Sequence, residues 1–140
     1  MIEIKYYRGL NPSPVKEKVV QNVFRILRDY LHLPNQIQVQ FVCLSEVVFA
    51  ETVLTTGSNV SVLRINIMLS PEDIIIPLVH ELIHLEQINT GKLKKLRTGL
   101  IEWEGKKFDL AKLEYNKHPW EADVDARLPD LLKIILKDKQ

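Results

Sequence analysis

Residues 70–91 read Ser70-Pro71-Glu72-Asp73-Ile74-Ile75-Ile76-Pro77-Leu78-Val79-His80-Glu81-Leu82-Ile83-His84-Leu85-Glu86-Gln87-Ile88-Asn89-Thr90-Gly91. The stretch opens with helix-start chemistry: a Ser that can cap, Pro at the first position and two acids in the first turn. It closes with Thr90-Gly91, where Gly91 is free to turn left-handed and end the helix. Pro77 removes a backbone donor, so the helix either kinks there or begins near it. In both cases 80–88 stays helical. Ile75, Val79, Leu82 and Ile83 supply apolar faces, which predicts a buried helix. His80 and His84 are four apart and share a face, so both imidazoles can reach one ion. Glu81 is offset from them and can address a water on that ion. His80-Glu81-x-x-His84 is therefore a candidate zinc site with Glu81 as general base. The competing reading is a helix whose two histidines bond to backbone carbonyls.

A catalytic zinc takes a third protein ligand and keeps one position open. The chain has 4 His and 1 Cys, so the remaining donors are His32, His118, Cys43 and the carboxylates. The segment His118-Pro119-Trp120-Glu121-Ala122-Asp123-Val124-Asp125 begins another helix at Pro119. Glu121 and Asp125 are four apart on it. Glu121 is the candidate third ligand. Asp125 is the candidate acceptor for a ligand histidine's other ring nitrogen, which would fix the tautomer. The same residues also fit a solvated acidic face at a helix start.

His80-Glu81-x-x-His84, a Glu on a later helix and an Asp four residues beyond it together resemble the gluzincin zinc metallopeptidases in a minimal single-domain form. The Trp103-x-Gly105-Lys106 turn and Pro119-Trp120-Glu121 resemble small proteins of the same motif from phage, archaeal and bacterial genomes. The resemblance implies zinc held by His80, His84 and Glu121, Glu81 as base and Asp125 behind the ligands. A second resemblance is fainter. Phe41-Val42-Cys43-Leu44-Ser45 is similar to the Cys-bearing segment of peptide deformylases, in which Cys43 would be the third ligand. Val42 stands where that family has Gly, and Ile83 where it has Asp. For the oxyanion of a peptide-cleaving reaction, Tyr115 and His118 are the candidate electrophiles.

The chain is 140 residues long with formal charge +1, 26% charged and 46% hydrophobic residues. That length supports one core, hence a single domain over 1–140. No basic block points to nucleic acid and no 18-residue apolar run points to a membrane span. A single Cys forms no internal disulfide. Residues 1–10 alternate and carry charges, unlike a signal peptide, so a cytoplasmic location is expected.

The remaining elements predict an α+β, zincin-like fold: an N-terminal helix and small mixed sheet packed on the metal helix, and a C-terminal helix carrying the third ligand. Ile2, Ile4 and Tyr6 alternate as a first strand. Ser13-Pro14 starts an amphipathic helix through Val15, Val19, Val23, Ile26 and Tyr30. Strands are expected at 37–41, 46–54 and 60–69, with a turn at Thr56-Gly57-Ser58-Asn59. A hairpin follows about Glu104-Gly105, then helical segments at 110–115 and 119–137. In the family resembled, the edge strand before the metal helix pairs with an extended peptide, and 60–69 takes that place here; an ordinary core strand is the alternative. The reading from another class is a non-catalytic or latent zinc module, its site closed by a side chain or by the tail Asp138-Lys139-Gln140.

Overall fold

The computed structural model describes residues 3–6, 12–53, 61–114 and 117–138. Among them, three helices and two small sheets form an α+β fold. The turn expected at 56–59, the candidate electrophile Tyr115 and the tail residues Lys139 and Gln140 lie outside the described residues.

The first sheet is mixed. β1 (Glu3–Tyr6), β2 (Gln36–Val42) and β4 (Ser61–Asn66) run parallel, and β3 (Ala50–Val53) pairs antiparallel with β4 in the order β1-β2-β4-β3. One face is apolar: Ile37, Val39, Phe41, Leu63 and Ile65 are buried. On the other face Arg64 reaches its neighbours on both sides, donating to Gln40 of β2 at 3.2 Å and to Glu51 of β3 at 3.3 Å. That cross-strand row ties β4 between two partners. The expected strand 60–69 is a strand over 61–66, with residue 60 outside the described residues; it sits inside the sheet and does not offer a free edge. Leu63 and Ile65 are fully buried, and a strand with such residues gains most where it is flanked on both sides. Among the described residues, the free edge near α2 belongs to β3. Of the expected 46–54 that strand covers 50–53; residues 46 and 47 form a turn, and residue 54 lies outside the described residues.

α1 (Pro14–Leu27) starts as expected, with the Ser13 side chain accepting from the Lys16 amide. It lays Val20, Val23, Phe24 and Leu27 into the core. α2 (Pro71–Asn89) is capped by Ser70, whose side chain accepts from the Asp73 amide, and its last turn is closed by Thr90. Gly91 follows at φ 79, the left-handed conformation its lack of a Cβ permits. Pro77 neither starts nor breaks this helix. Its missing N–H deprives only the carbonyl of Asp73, in the solvent-exposed first turn, where water can replace the bond. Every residue from Glu81 to Gln87 is buried. That burial on all sides follows from position, since α2 packs against α1, α3 (Pro119–Asp138), β3, β4 and β5 (Leu93–Arg97).

The second sheet is an antiparallel meander of β5, β6 (Leu100–Trp103) and β7 (Lys106–Asp109). The expected hairpin closes at Glu104-Gly105, both with positive φ, the backbone of a two-residue turn matching strand twist. β5 carries no strong alternation and was not legible as a strand. Residues 110–114, expected to start a helix, form turns instead. This sheet has its own apolar cluster, Leu93, Ile101, Trp103 and Trp120. Trp120 belongs to α3, so the cluster pins the first turn of α3 against the end of α2. Among the described residues, no helix is long and apolar enough to cross a membrane.

Candidate metal centre

The middle of α2 supplies His80, Glu81 and His84, whose ligand atoms all lie within 4.8 Å of one another. The group could hold a metal ion. The two imidazoles stand edge to face, centroids 5.0 Å apart. Their Nε2 atoms converge on one oxygen of Glu121: Oε1 is 3.1 Å from His80 Nε2 and 2.8 Å from His84 Nε2. Glu121 arrives from α3, 37 residues beyond His84. It is placed by the anchoring of Trp120, its neighbour, and by the first turn of α3, where the Glu121 and Ala122 amides donate to the His118 carbonyl. Two imidazole nitrogens and a carboxylate from a separate helix thus meet at one point, a donor set suited to a divalent transition metal.

Electrostatics follow from burial and these contacts. Burial by itself would raise the Glu121 pKa, but hydrogen bonds from His80 and His84, with their charges, outweigh it and hold the carboxyl well below the usual range. Burial opposes protonation of His84, yet its hydrogen bond to Glu121, the charges of Glu81 and Glu121 and the bond to Gln87 leave its pKa raised. Glu81 goes the other way from Glu121. Desolvation pushes its pKa up, and the lowering effects of His84, Thr52 and His80 do not cancel that. Thr52 of β3 donates to Glu81 Oε2 at 2.6 Å, so the edge strand and the motif glutamate are directly joined.

The other expected residues fall differently. Asp125 is exposed to solvent. It was expected to hold the second ring nitrogen of a ligand histidine; that of His84, Nδ1, lies 2.8 Å from Gln87 Oε1. Gln87 is on the metal helix itself, one turn on, and completely buried. Its amide nitrogen donates to the Trp120 carbonyl and to Asp123 Oδ2, both at 2.9 Å. Four-residue spacing placed Asp125 over Glu121 along α3, but the rotation of α3 against α2 turns Asp123 inward and Asp125 outward. Cys43 is exposed, just past the end of β2, and forms no part of the His80–Glu81–His84 group. His118 stacks on Trp120 at 4.6 Å, with Nε2 3.3 Å from the Leu113 carbonyl. Asp138 near the tail pairs with Arg25 at 2.9 Å.

Thr52, Gln87 and Asp123 were not legible beforehand. The signal was Gln87 itself, three residues after His84 on the same helix.

Two clefts meet at Glu81. One of about 220 Å³ is lined by Glu51, Thr52, Glu81, His84, Trp120 and Glu121, among others. The other, about 500 Å³, runs from His80 and Glu81 over Ala50, Phe49, Val47, Ile76 and Pro77. Its apolar residues are unusually open: Val47 is 83% exposed, Ile76 57% and Phe49 51%. A larger cleft of about 560 Å³ lies between the ends of α1 and α3, lined by none of the site residues. Comparison with protein-family models, curated proteins and solved structures returned no match.

Proposed function

We propose that this chain is a zinc-dependent metallopeptidase of the gluzincin type. The observation that carries the reading is the convergence of His80 Nε2 and His84 Nε2 on Glu121 Oε1, with Glu81 alongside. The donor set fits zinc. Ligands about 2.0–2.1 Å from a tetrahedral ion stand about 3.3 Å apart, and the present separations are 3.1 and 2.8 Å. These two separations would widen by a few tenths of an ångström. The mixed sheet, with an antiparallel edge strand bonded to the motif glutamate, supports a zincin-like fold.

Zinc there would supply Lewis acidity toward a scissile carbonyl and acidify a water to a pKa of about 7. Glu81 takes the proton from the attacking water and returns it to the leaving amine. Thr52 holds Oε2 of Glu81, so Oε1 is the oxygen that works. In the metal-free site burial raises the Glu81 pKa, the direction that suits a proton acceptor. The substrate is an extended peptide lying along the free edge of β3, whose backbone groups can add a strand. A bulky apolar side chain beside the scissile bond fills the cleft of Val47, Phe49 and Ile76.

Native mass spectrometry and a mixed peptide library test the reading. One zinc per chain is expected, with cleavage that a chelator abolishes and zinc restores. A folded protein that takes up no zinc, or chelator-insensitive cleavage, overturns it.

A further inference from the structure

The amide of Gln87 is committed in one orientation. Its Nε2 has two hydrogens and faces two acceptors, the backbone carbonyl of Trp120 and Oδ2 of Asp123, each at 2.9 Å. Asp123 Oδ2 also accepts from Arg127 at 3.3 Å, an arrangement suited to an ionised, acceptor-only carboxylate. Turning the amide over would set an oxygen against both acceptors, in a site where Gln87 is 1% exposed. Unpaired polar groups at such burial are costly. With Nε2 spent, Oε1 is left facing His84 Nδ1 at 2.8 Å, and an amide oxygen only accepts.

From this we infer that Gln87 is a positioning residue. It forces the proton of His84 onto Nδ1, leaves Nε2 as the ligand atom, and holds α3 at the residue before Glu121, so that one side chain aligns ligands from both helices. The inference rests on the metal-site reading above. The same tie explains why a helix otherwise buried among apolar side chains carries an amide at this position. Its two donors grip the turn of α3 that contains Trp120 and Asp123, while its acceptor grips the ligand histidine. Asp123 then acts at one remove, as the anchor that orients Gln87. The helical register of α3 thereby becomes part of the metal site: Glu121 reaches His80 and His84 because Trp120 and Asp123, on either side of it, are held by α2.

Gln87→Met removes all three bonds at similar volume. Gln87→Glu combined with Asp123→Asn keeps an acceptor for His84 and reverses the donor–acceptor sense toward residue 123, but gives up the bond to the Trp120 carbonyl. Nitrogen-15 NMR of the His84 ring, with and without zinc, reads the tautomer, and competition with a chromogenic chelator reads affinity. In the wild type, Nδ1 carries a slowly exchanging proton in both states. Gln87→Met loses that signature and binds zinc about 10–100-fold more weakly; the double variant recovers the Nδ1 proton, while the missing bond to the Trp120 carbonyl leaves its affinity below wild type. A Gln87→Met protein that is folded, Nδ1-protonated and of wild-type affinity overturns the inference. If Gln87→Met does not fold, the double variant decides: a folded protein with His84 as in the wild type supports the assignment, and one with a mixed tautomer refutes it. Wild-type protein that binds no zinc, yet shows the Nδ1–H bond to Gln87, would sink the metallopeptidase reading and leave the positional role of Gln87 standing.

Discussion

Glu81→Gln separates a base from a ligand, because Glu81 lies in the same three-residue group as the two histidines. As a base, its loss should remove about 10²–10⁴ in rate. At 1.36 kcal/mol per tenfold that is about 2.7–5.4 kcal/mol of barrier. Stability should respond differently. The side chain is buried and Thr52 donates to Oε2. The Gln amide oxygen can still accept that bond, so the expected loss is the difference between a charged and a neutral acceptor, about 1 kcal/mol. Against it stands the relief of an ionised group that burial disfavours, seen in the raised Glu81 pKa. The two effects oppose, so the unfolding midpoint should stay within about 4 °C of wild type. The assay pairs cleavage of a defined peptide with metal content and thermal unfolding of the same preparations. Zinc retained, stability retained and activity lost is the expected pattern. Loss of zinc from Glu81→Gln would mean that Glu81 is a ligand, and undiminished cleavage would place the chemistry elsewhere; either result refutes the assignment.

Glu121→Ala should weaken zinc by more than about 100-fold, beyond the range typical of groups behind the ligands, while Cys43→Ala leaves it unchanged; chelator competition measures both, and the reverse order would favour the deformylase-like alternative. In the metal-free protein, His84 holds its proton above the ordinary 6.5, so its stabilisation is complete below that pH and is lost as pH rises through the higher folded value. Glu121, with a lowered pKa, contributes above the ordinary 4.5 and loses its contribution as pH falls toward the folded value. Denaturant titrations in chelator should therefore show stability dropping above pH 6.5, and Glu121→Gln should flatten that drop. Ile76→Ser and Phe49→Ser should raise KM about 10-fold for peptides with a bulky apolar residue at the scissile bond, since burying such a side chain contributes about 1.5–3 kcal/mol; an equal effect on peptides with small residues there would show that the cleft is not the subsite.

Residues 70–91 were decisive because helix signals are local. A cap, a proline at the first position, a 3.6-residue period and a terminal glycine lie within a few residues of what they govern, so α2 and the shared face of His80 and His84 were legible without the rest of the chain. The same holds for the turn at Glu104-Gly105 and the start of α1 at Ser13. Nothing local says which strand lies at an edge. The alternation of Leu63 and Ile65 reads identically for an edge strand and a central one, and only pairing of β4 with both β2 and β3 decided it. Nor does spacing within α3 settle which acid faces inward. Glu121 and Asp125 share a side of their own helix, but rotation of α3 against α2, pinned by Trp120 in a second core, brings Glu121 to the histidines and Asp123 to Gln87. The chain's own order thus determined the candidate metal-binding pair and the glutamate beside it, through contacts one turn apart. The meeting of Glu121 with the histidines, the anchoring of the Gln87 amide that faces His84, and the edge strand bonded to Glu81 depend on contacts spanning about 30 to 40 residues, which only the packed structure decides.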